Sequence, residues 1–383
     1  MNASSAECCE RSDFQLPMHH IAAGCGLHGQ TETRTMDAKP GSGLDATGGE
    51  ARTAGAGIKI DSSRVMAGVV PLSRAALHRL LRPAALFAVI VALATTFEAS
   101  AGEPSKPTAV ATISILADFV SAVAGDTLIV ESVVPVGGDP HTYEPVPSDA
   151  RKLAHAAIVF RNGLGLERWL DKLIGDARPD RPVVSLTEGF AGLRVTEGTY
   201  AGDPDPHAWM DPQIARRYVD AVEHSLRAQY PRHAATYAAN AARYREKLAT
   251  LDRDIRAMMN SVPAAQRQLV TTHDAFRYFA QRYGLNLVAS IWGISTETEP
   301  SAREVAQIVS AIRKAGVPAV FIETTINPKL MQRIAAEARV RVGEPLYGDS
   351  VGPPGSGADS YLGMMRANAH AIARGLAAPG VAP

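Results

Sequence analysis

The sequence predicts an α/β fold of parallel sheets flanked by helices, and three observations carry that reading. Apolar β-like runs alternate with helix-periodic segments over most of the chain after residue 108, the pattern of parallel strands covered on both faces. From Gly102 onward there are about 280 residues, enough for two lobes of ordinary domain size. Between two groups of strands, residues 233–260 contain neither Gly nor Pro. There Tyr237, Tyr244, Leu248, Leu251, Ile255 and Met258 follow a 3.6-residue period. A helix of roughly 28 residues spans about 42 Å, which fits either the length of a two-lobed protein or a long surface helix.

The elements follow in order. Residues 109–113 form a strand that leads into an amphipathic helix marked by Leu116, Phe119, Val120 and Val123. Residues 130–134 form the next strand, which ends at Pro135 and Gly137-Gly138. Ser148 is expected to cap a helix over 149–155; a strand at 157–160, a helix at 167–174 and a strand at 183–186 follow. A helix over 214–227 breaks near Pro231. Beyond the long helix, strands at 268–272, 285–291, 319–322 and 341–346 alternate with helices. Gly284 stops a helix over 275–283. Ser301 and Glu304 form a capping box for a helix to Ala315, which Gly316 and Pro318 end. A helix over 328–338 and a last one, from Asp359 or Ser360 to about Gly375, complete the chain.

Residues 1–65 are rich in Gly, Ala, Ser and Thr without sustained periodicity, and are expected to be a low-complexity leader or a mis-assigned start. Residues 66–101 read as a secretory signal peptide. Arg74, His78, Arg79 and Arg82 precede an uncharged apolar run over 83–97, and Ala99-Ser100-Ala101 offers a small-residue cleavage site. The run is shorter than the about 20 residues of a membrane span, so Met66 is the expected start and Gly102 the expected mature terminus. Cys8, Cys9 and Cys25 all lie upstream, so the mature chain is expected to have no disulfide, thiolate metal site or lipid anchor. Lys plus Arg and Asp plus Glu balance at 39 each, which leaves no footprint for nucleic acid or acidic lipid. The expected product is a monomer, free in a periplasm-like space.

His141, His207, His273 and Asp349 each lie in a connection after a predicted strand, at intervals of 66, 66 and 76 residues. In open parallel sheets ligands bind at the carboxyl ends of strands. Three imidazoles and one carboxylate form a set that suits a divalent transition metal, zinc above all. The stretches Asp139-Pro140-His141-Thr142-Tyr143-Glu144-Pro145 and Asp205-Pro206-His207-Ala208-Trp209-Met210-Asp211-Pro212 repeat one device. Proline fixes φ and holds its predecessor extended, so each histidine sits in a stiff, non-helical connection. Spacing this wide does not separate a metal site from ordinary turn residues, and no close pair such as H-E-x-x-H is present. His155, His224, His233 and His370 fall in or beside predicted helices and read as solvated or packed. Trp209 suits packing that holds the His207 ring in place.

Those two stretches, with Thr271-Thr272-His273-Asp274-Ala275-Phe276 and Tyr347-Gly348-Asp349, resemble the four ligand segments of one family. It is the zinc/manganese-binding solute receptors of bacterial ABC importers, the cluster A-I type. The resemblance runs from about Pro107 to Gly375. It implies an N-terminal metal-binding lobe over 102–232, a single linker helix over 233–261, and a C-terminal lobe over 262–383. By that resemblance His141 and His207 are metal ligands from the first lobe, and His273 and Asp349 from the second. It implies a binding protein, not an enzyme, that captures the ion in the periplasm and delivers it to an inner-membrane permease. Glu323 is either a group supporting the site or a plain surface carboxylate.

Manganese members of that family usually carry Glu at the third position, so His273 points to zinc, with manganese the alternative. Two departures point the other way. Residues 198–205 are short and lack the His-rich insertion of zinc specialists, and Gly293-Ile294-Ser295-Thr296-Glu297-Thr298-Glu299 looks closer to the manganese/iron branch. An exported zinc-dependent hydrolase is the main rival; it needs an open water position and a base, for which Glu144, Asp211 and Asp274 are candidates. A surface adhesin of the same fold is the third reading, without a repeat, disulfide framework or large apolar stretch to support it.

Overall fold

Strand β1 (Thr108–Ala111) is built of small residues, of which Ala109, Val110 and Ala111 are wholly buried, and other strands pair with both of its edges. In the computed structural model, which describes residues 106–177, 182–196 and 200–377, it lies inside a parallel sheet of order β2-β1-β3-β4. The partners are β2 (Ile129–Ser132), β3 (Ile158–Arg161) and β4 (Val183–Ser185), with Ala109 opposite Val130 on one side and Ile158 on the other. The expected leader and signal peptide lie outside the described residues.

The second lobe repeats this order. Strand β5 (Gln268–Thr271) pairs in parallel with β6 (Asn286–Ser290), and β7 (Ala319–Val320) with β8 (Arg341–Val342). The Phe321 N–H donates to the Val270 carbonyl at 2.9 Å, so the two pairs lie side by side as β6-β5-β7-β8. In both lobes the third strand falls beside the first, on the side away from the second. Such a reversal opens a crevice at the carboxyl edge of the sheet.

The helices are α1 (Ser114–Ala124), α2 (Pro147–His155), α3 (Leu170–Ala177), α4 (Pro212–Gln229), α5 (Ala234–Ser261), α6 (Arg277–Tyr283), α7 (Ala302–Ala315), α8 (Lys329–Ala338) and α9 (Tyr361–Ala377). Among the described residues none is long and apolar enough to cross a membrane. The Ser301–Glu304 capping box opens α7 as expected, and Gly284 and Gly316 close α6 and α7 in the left-handed conformation that lacks a Cβ penalty. Ser148 does not cap α2: Asp149 does, accepting the Val146 N–H at 2.9 Å, because the helix begins two residues earlier than expected, at Pro147. Likewise α3 starts at Leu170 rather than at Glu167, whose carboxylate is drawn into the core. It accepts bonds from the Thr112 hydroxyl and the Asn162 N–H, each at 2.6 Å.

Helix α5 has 28 residues, and its buried stripe runs through Tyr237, Ala241, Tyr244, Leu248, Leu251, Ile255 and Met259. The predicted Met258 is half-buried and packs against the core, and the adjacent Met259 is the fully buried end of the stripe. The helix packs against α4, α9 and α1. Its buried Asp252 ties three elements together, accepting from Arg282 Nη2 at 2.6 Å, the Tyr283 hydroxyl at 3.0 Å and Gln213 Nε2 at 3.2 Å.

Candidate metal centre

Both Asp-Pro-His stretches fold as the same turn. The aspartate accepts the histidine's own backbone N–H, Asp139 Oδ1 from His141 at 2.9 Å and Asp205 Oδ1 from His207 at 3.0 Å. The intervening proline offers only a carbonyl, and each is taken by a side chain: Trp169 Nε1 donates to Pro140 and Asn162 Nδ2 to Pro206, both at 3.0 Å. The turns then diverge. Asp205 Oδ1 also lies 2.8 Å from His207 Nδ1, whereas Asp139 Oδ2 reaches into the other lobe to accept from Thr296 at 2.5 Å.

After His207 a short 3-10 turn, Ala208–Met210, carries Trp209 into the core, and Asp211 caps α4 through the Gln213 N–H at 2.7 Å. The Trp209 ring packs edge-on against His207 with centroids 5.3 Å apart. Its Nε1–H donates across the lobes to the Gly348 carbonyl at 3.0 Å, next to Asp349.

In the second lobe, His273 stands just past β5. Its N–H donates to Glu323 Oε1 at 2.8 Å, and its Nδ1 lies 2.7 Å from Glu323 Oε2. Glu323 is fully buried, so it supports the site rather than decorating the surface. The segment before Asp349 is clamped by buried Asn368, which accepts the Tyr347 N–H and donates to the Tyr347 carbonyl, both at 2.8 Å. Gly348 has to be glycine: a Cβ there would lie 2.3 Å from Glu323 Oε2.

These supports bring His141, His207, His273 and Asp349 together, with one donor atom from each inside a group no wider than 4.8 Å. His207 Nε2 is 3.2 Å from His141 Nε2 and 3.3 Å from His273 Nε2. The Asp349 oxygens lie 3.2 Å from His273 Nε2, 3.5 Å from His207 Nε2 and 3.7 Å from His141 Nε2. A tetrahedral shell with bonds of about 2.0–2.1 Å sets its donors about 3.3–3.4 Å apart, so the group fits around one small cation. Both Asp349 oxygens are buried without a hydrogen-bond partner. A buried carboxylate left in that state is costly unless a cation faces it.

The electrostatics differ from one imidazole to the next. Burial pushes the His141 ring down to about 3. For His273 burial pulls the same way, but the Glu323 and Asp349 carboxylates outweigh it and raise the ring well above its ordinary value. Burial opposes the charge on Asp349, yet the three imidazoles, His273 foremost, hold its carboxyl below the usual range. A carboxylate lies at Nδ1 of both His207 and His273, which orients each ring so that Nε2 is the atom aimed inward.

The candidate bases for hydrolysis are placed otherwise. Asp211 is committed to its helix cap and Glu144 is exposed. Burial raises the Asp274 carboxyl to about 7, and it pairs with Arg277 at 3.6 Å. It lines a separate cavity of about 540 Å³ that none of the four residues lines. His155, His224 and His370 are exposed, and His233 is half-buried at the start of α5. The sequence did not single out Asp205, Asn162 or Trp169 as supports. The position two before the histidine, favoured for a side-chain-to-backbone turn bond, was the available signal for Asp205.

Comparison with known proteins places this geometry among metal receptors. The sequence profile of the family described as zinc-uptake complex component A, periplasmic, matches residues 109–375. The chain is 35% identical over 301 residues to the iron-binding protein YfeA of Yersinia pestis, covering 77% of this chain and 96% of that one. It is 32% identical over 299 residues to the manganese ABC transporter substrate-binding lipoprotein PsaA of Streptococcus pneumoniae, covering 76% of this chain and 96% of that one. The solved periplasmic zinc-binding protein TroA from Treponema pallidum superposes with a TM-score of 0.68 at 31% identity, covering 72% of this chain and all of that one.

Proposed function

The chain belongs to the family of periplasmic zinc-uptake complex component A, substrate-binding receptors of metal ABC importers and not enzymes, and on that premise we propose that its cargo is zinc. His141, His207, His273 and Asp349 hold the ion, and an inner-membrane permease receives it. One observation carries the reading: four buried donor residues converge within 4.8 Å, and one of them is a carboxylate that has no hydrogen-bond partner. Four protein ligands fill a zinc shell and leave no position for a reactive water, which suits storage and handover rather than hydrolysis. The ligands come in pairs from two lobes joined through α5, so a small tilt of one lobe removes half of the shell.

Manganese is the second reading, and one feature favours it. Both Asp349 oxygens face imidazoles, so the carboxylate is able to bind through both atoms and raise the coordination number above four. The chain acts in the periplasm as a monomer. Downstream of the apolar run it contains no cysteine on which a lipid could be carried.

The test is competition between the two ions on metal-free protein. Zinc is expected to bind one per chain and to displace manganese, as its place in the divalent series requires at a nitrogen-rich site. Manganese retained against equimolar zinc overturns the choice of ion. Zinc binding that survives His207→Ala overturns the site.

A further inference from the structure

Three of the four donor residues are sealed: His207 and His273 are 0% exposed and Asp349 is 1% exposed. His141, at 8%, is the one that meets solvent. Two cavities open beside it. One, of about 170 Å³, is lined by His141 with Arg168, Tyr200, Asp203, Pro206 and Ile294 among others. The second, of about 320 Å³, includes His141, Glu144, Arg168, Trp169 and Glu297. The smaller has room for roughly five waters at about 30 Å³ each, the size of a partly hydrated ion rather than a bulky chelate.

His141 and Arg168 line both cavities, and Arg168 is the one cation among their lining residues. Its neighbours in sequence are fixed. Glu167 is bonded into the core through Thr112 and Asn162, and Trp169 holds the Pro140 carbonyl at the base of the His141 turn. The Arg168 side chain is tied at the surface instead. It is more than half exposed, lies 5.6 Å above the Tyr200 ring, and reaches Asp203 at 3.1 Å. Tyr200 in turn donates to Glu297 of the other lobe at 3.1 Å. A surface ion pair of this kind is weak and opens readily. An anchored backbone with a loosely tied guanidinium at the mouth of a cation site is the arrangement of a gate.

We infer that the ion enters and leaves through the vestibule beside His141, and that Arg168 gates this passage. Paired with Asp203, the guanidinium is drawn aside. Released, it stands its charge in the cation's path. The contacts of Arg168 go to Asp203 and Tyr200 and not to a donor residue, so it bears on the speed of exchange more than on the depth of the well. The inference rests on the site proposed above.

Stopped-flow measurement of zinc association, and of zinc loss to an excess of chelator, tests it on the mature protein. Arg168→Gln is expected to raise both rates several-fold while the Kd stays within about twofold, and Arg168→Lys to restore the slow exchange. The gain in association rate should shrink as salt is raised, because a charge at the mouth acts through a screened field. Asp203→Asn, which frees the guanidinium, should slow both rates. Wild-type rates in Arg168→Gln with zinc still bound overturn the gate and leave the site standing, as does a change confined to dissociation. Zinc binding undiminished by His207→Ala removes the site, and the gate with it.

Discussion

His141 and His273 face one point from opposite lobes, in surroundings of opposite kind. His141 is held only through its backbone, by Asp139 and by Trp169 on Pro140, and its ring is neutral down to about 3 because burial dominates. His273 is held through backbone and ring alike by Glu323, and the carboxylates around it favour the protonated ring. One side of the cleft is an uncharged, slightly exposed donor that can move. The other is an anchored donor that must lose a proton before it can bind. An importer's receptor needs both, since grip comes from the anchored side and exchange from the loose one.

The largest effect should come from breaking the anchored side. His273→Ala is expected to cut zinc affinity by orders of magnitude, and His141→Ala by clearly less, because three anchored groups remain. Titration against a competing chelator measures both, and equal losses would erase the contrast. Next comes Glu323→Gln, which keeps the shape but removes the charge behind His273. Loss of such a supporting group typically costs about 10–100-fold in metal affinity. The same titration checks it, and an unchanged Kd would return Glu323 to a purely structural role.

The pH dependence sharpens the comparison further. Zinc displaces the His273 proton, so affinity should fall about tenfold per unit of pH below the pKa of that ring. Because the Glu323 and Asp349 carboxylates raise it, the fall should begin above the ordinary histidine value of about 6.5. His141, neutral in that range, adds nothing. In Glu323→Gln the onset should move to lower pH, so the penalty of that substitution shrinks on acidification. A constant penalty from pH 8 to pH 6, by calorimetric titration, would contradict the assignment of the proton. The smallest effect is expected at Asp139→Asn, a few-fold loss, since Asp139 holds the His141 backbone and Thr296 but not the ring.

The alternation of strands and helices, the long central helix and the four residues that the fold brings together were legible in the sequence, because each leaves a local mark. Period, proline and strand-end placement are such marks. Trp209 was legible as a support of His207 and Glu323 was open between support and surface, but the partners of most supports were not legible. Glu323 reaches His273 across a separation of 50 residues, Asn162 reaches Pro206 across 44 and Trp169 reaches Pro140 across 29. No periodicity encodes a pairing over that distance. One boundary shifted because a side chain was recruited inward. Glu167 delays the start of α3 in this way, because a buried carboxylate has to gather donors and those donors set the loop. The two lobes' shared strand order was also hidden, since β7 and β8 are only two residues each and are aligned by a single backbone bond to β5.

The Asp-Pro-His turn has a thermodynamic consequence as well as a geometric one. Proline narrows the conformations of the metal-free loop, and the aspartate-to-backbone bond narrows them again, before any ion arrives. Ordering one residue's backbone costs about 1–2 kcal/mol in lost conformational freedom. With one such residue in each turn already fixed, the ion is spared roughly 2–4 kcal/mol of ordering, which corresponds to between one and three powers of ten in affinity. Part of the receptor's tightness is therefore stored in the rigidity of Pro140 and Pro206, residues that never touch the metal.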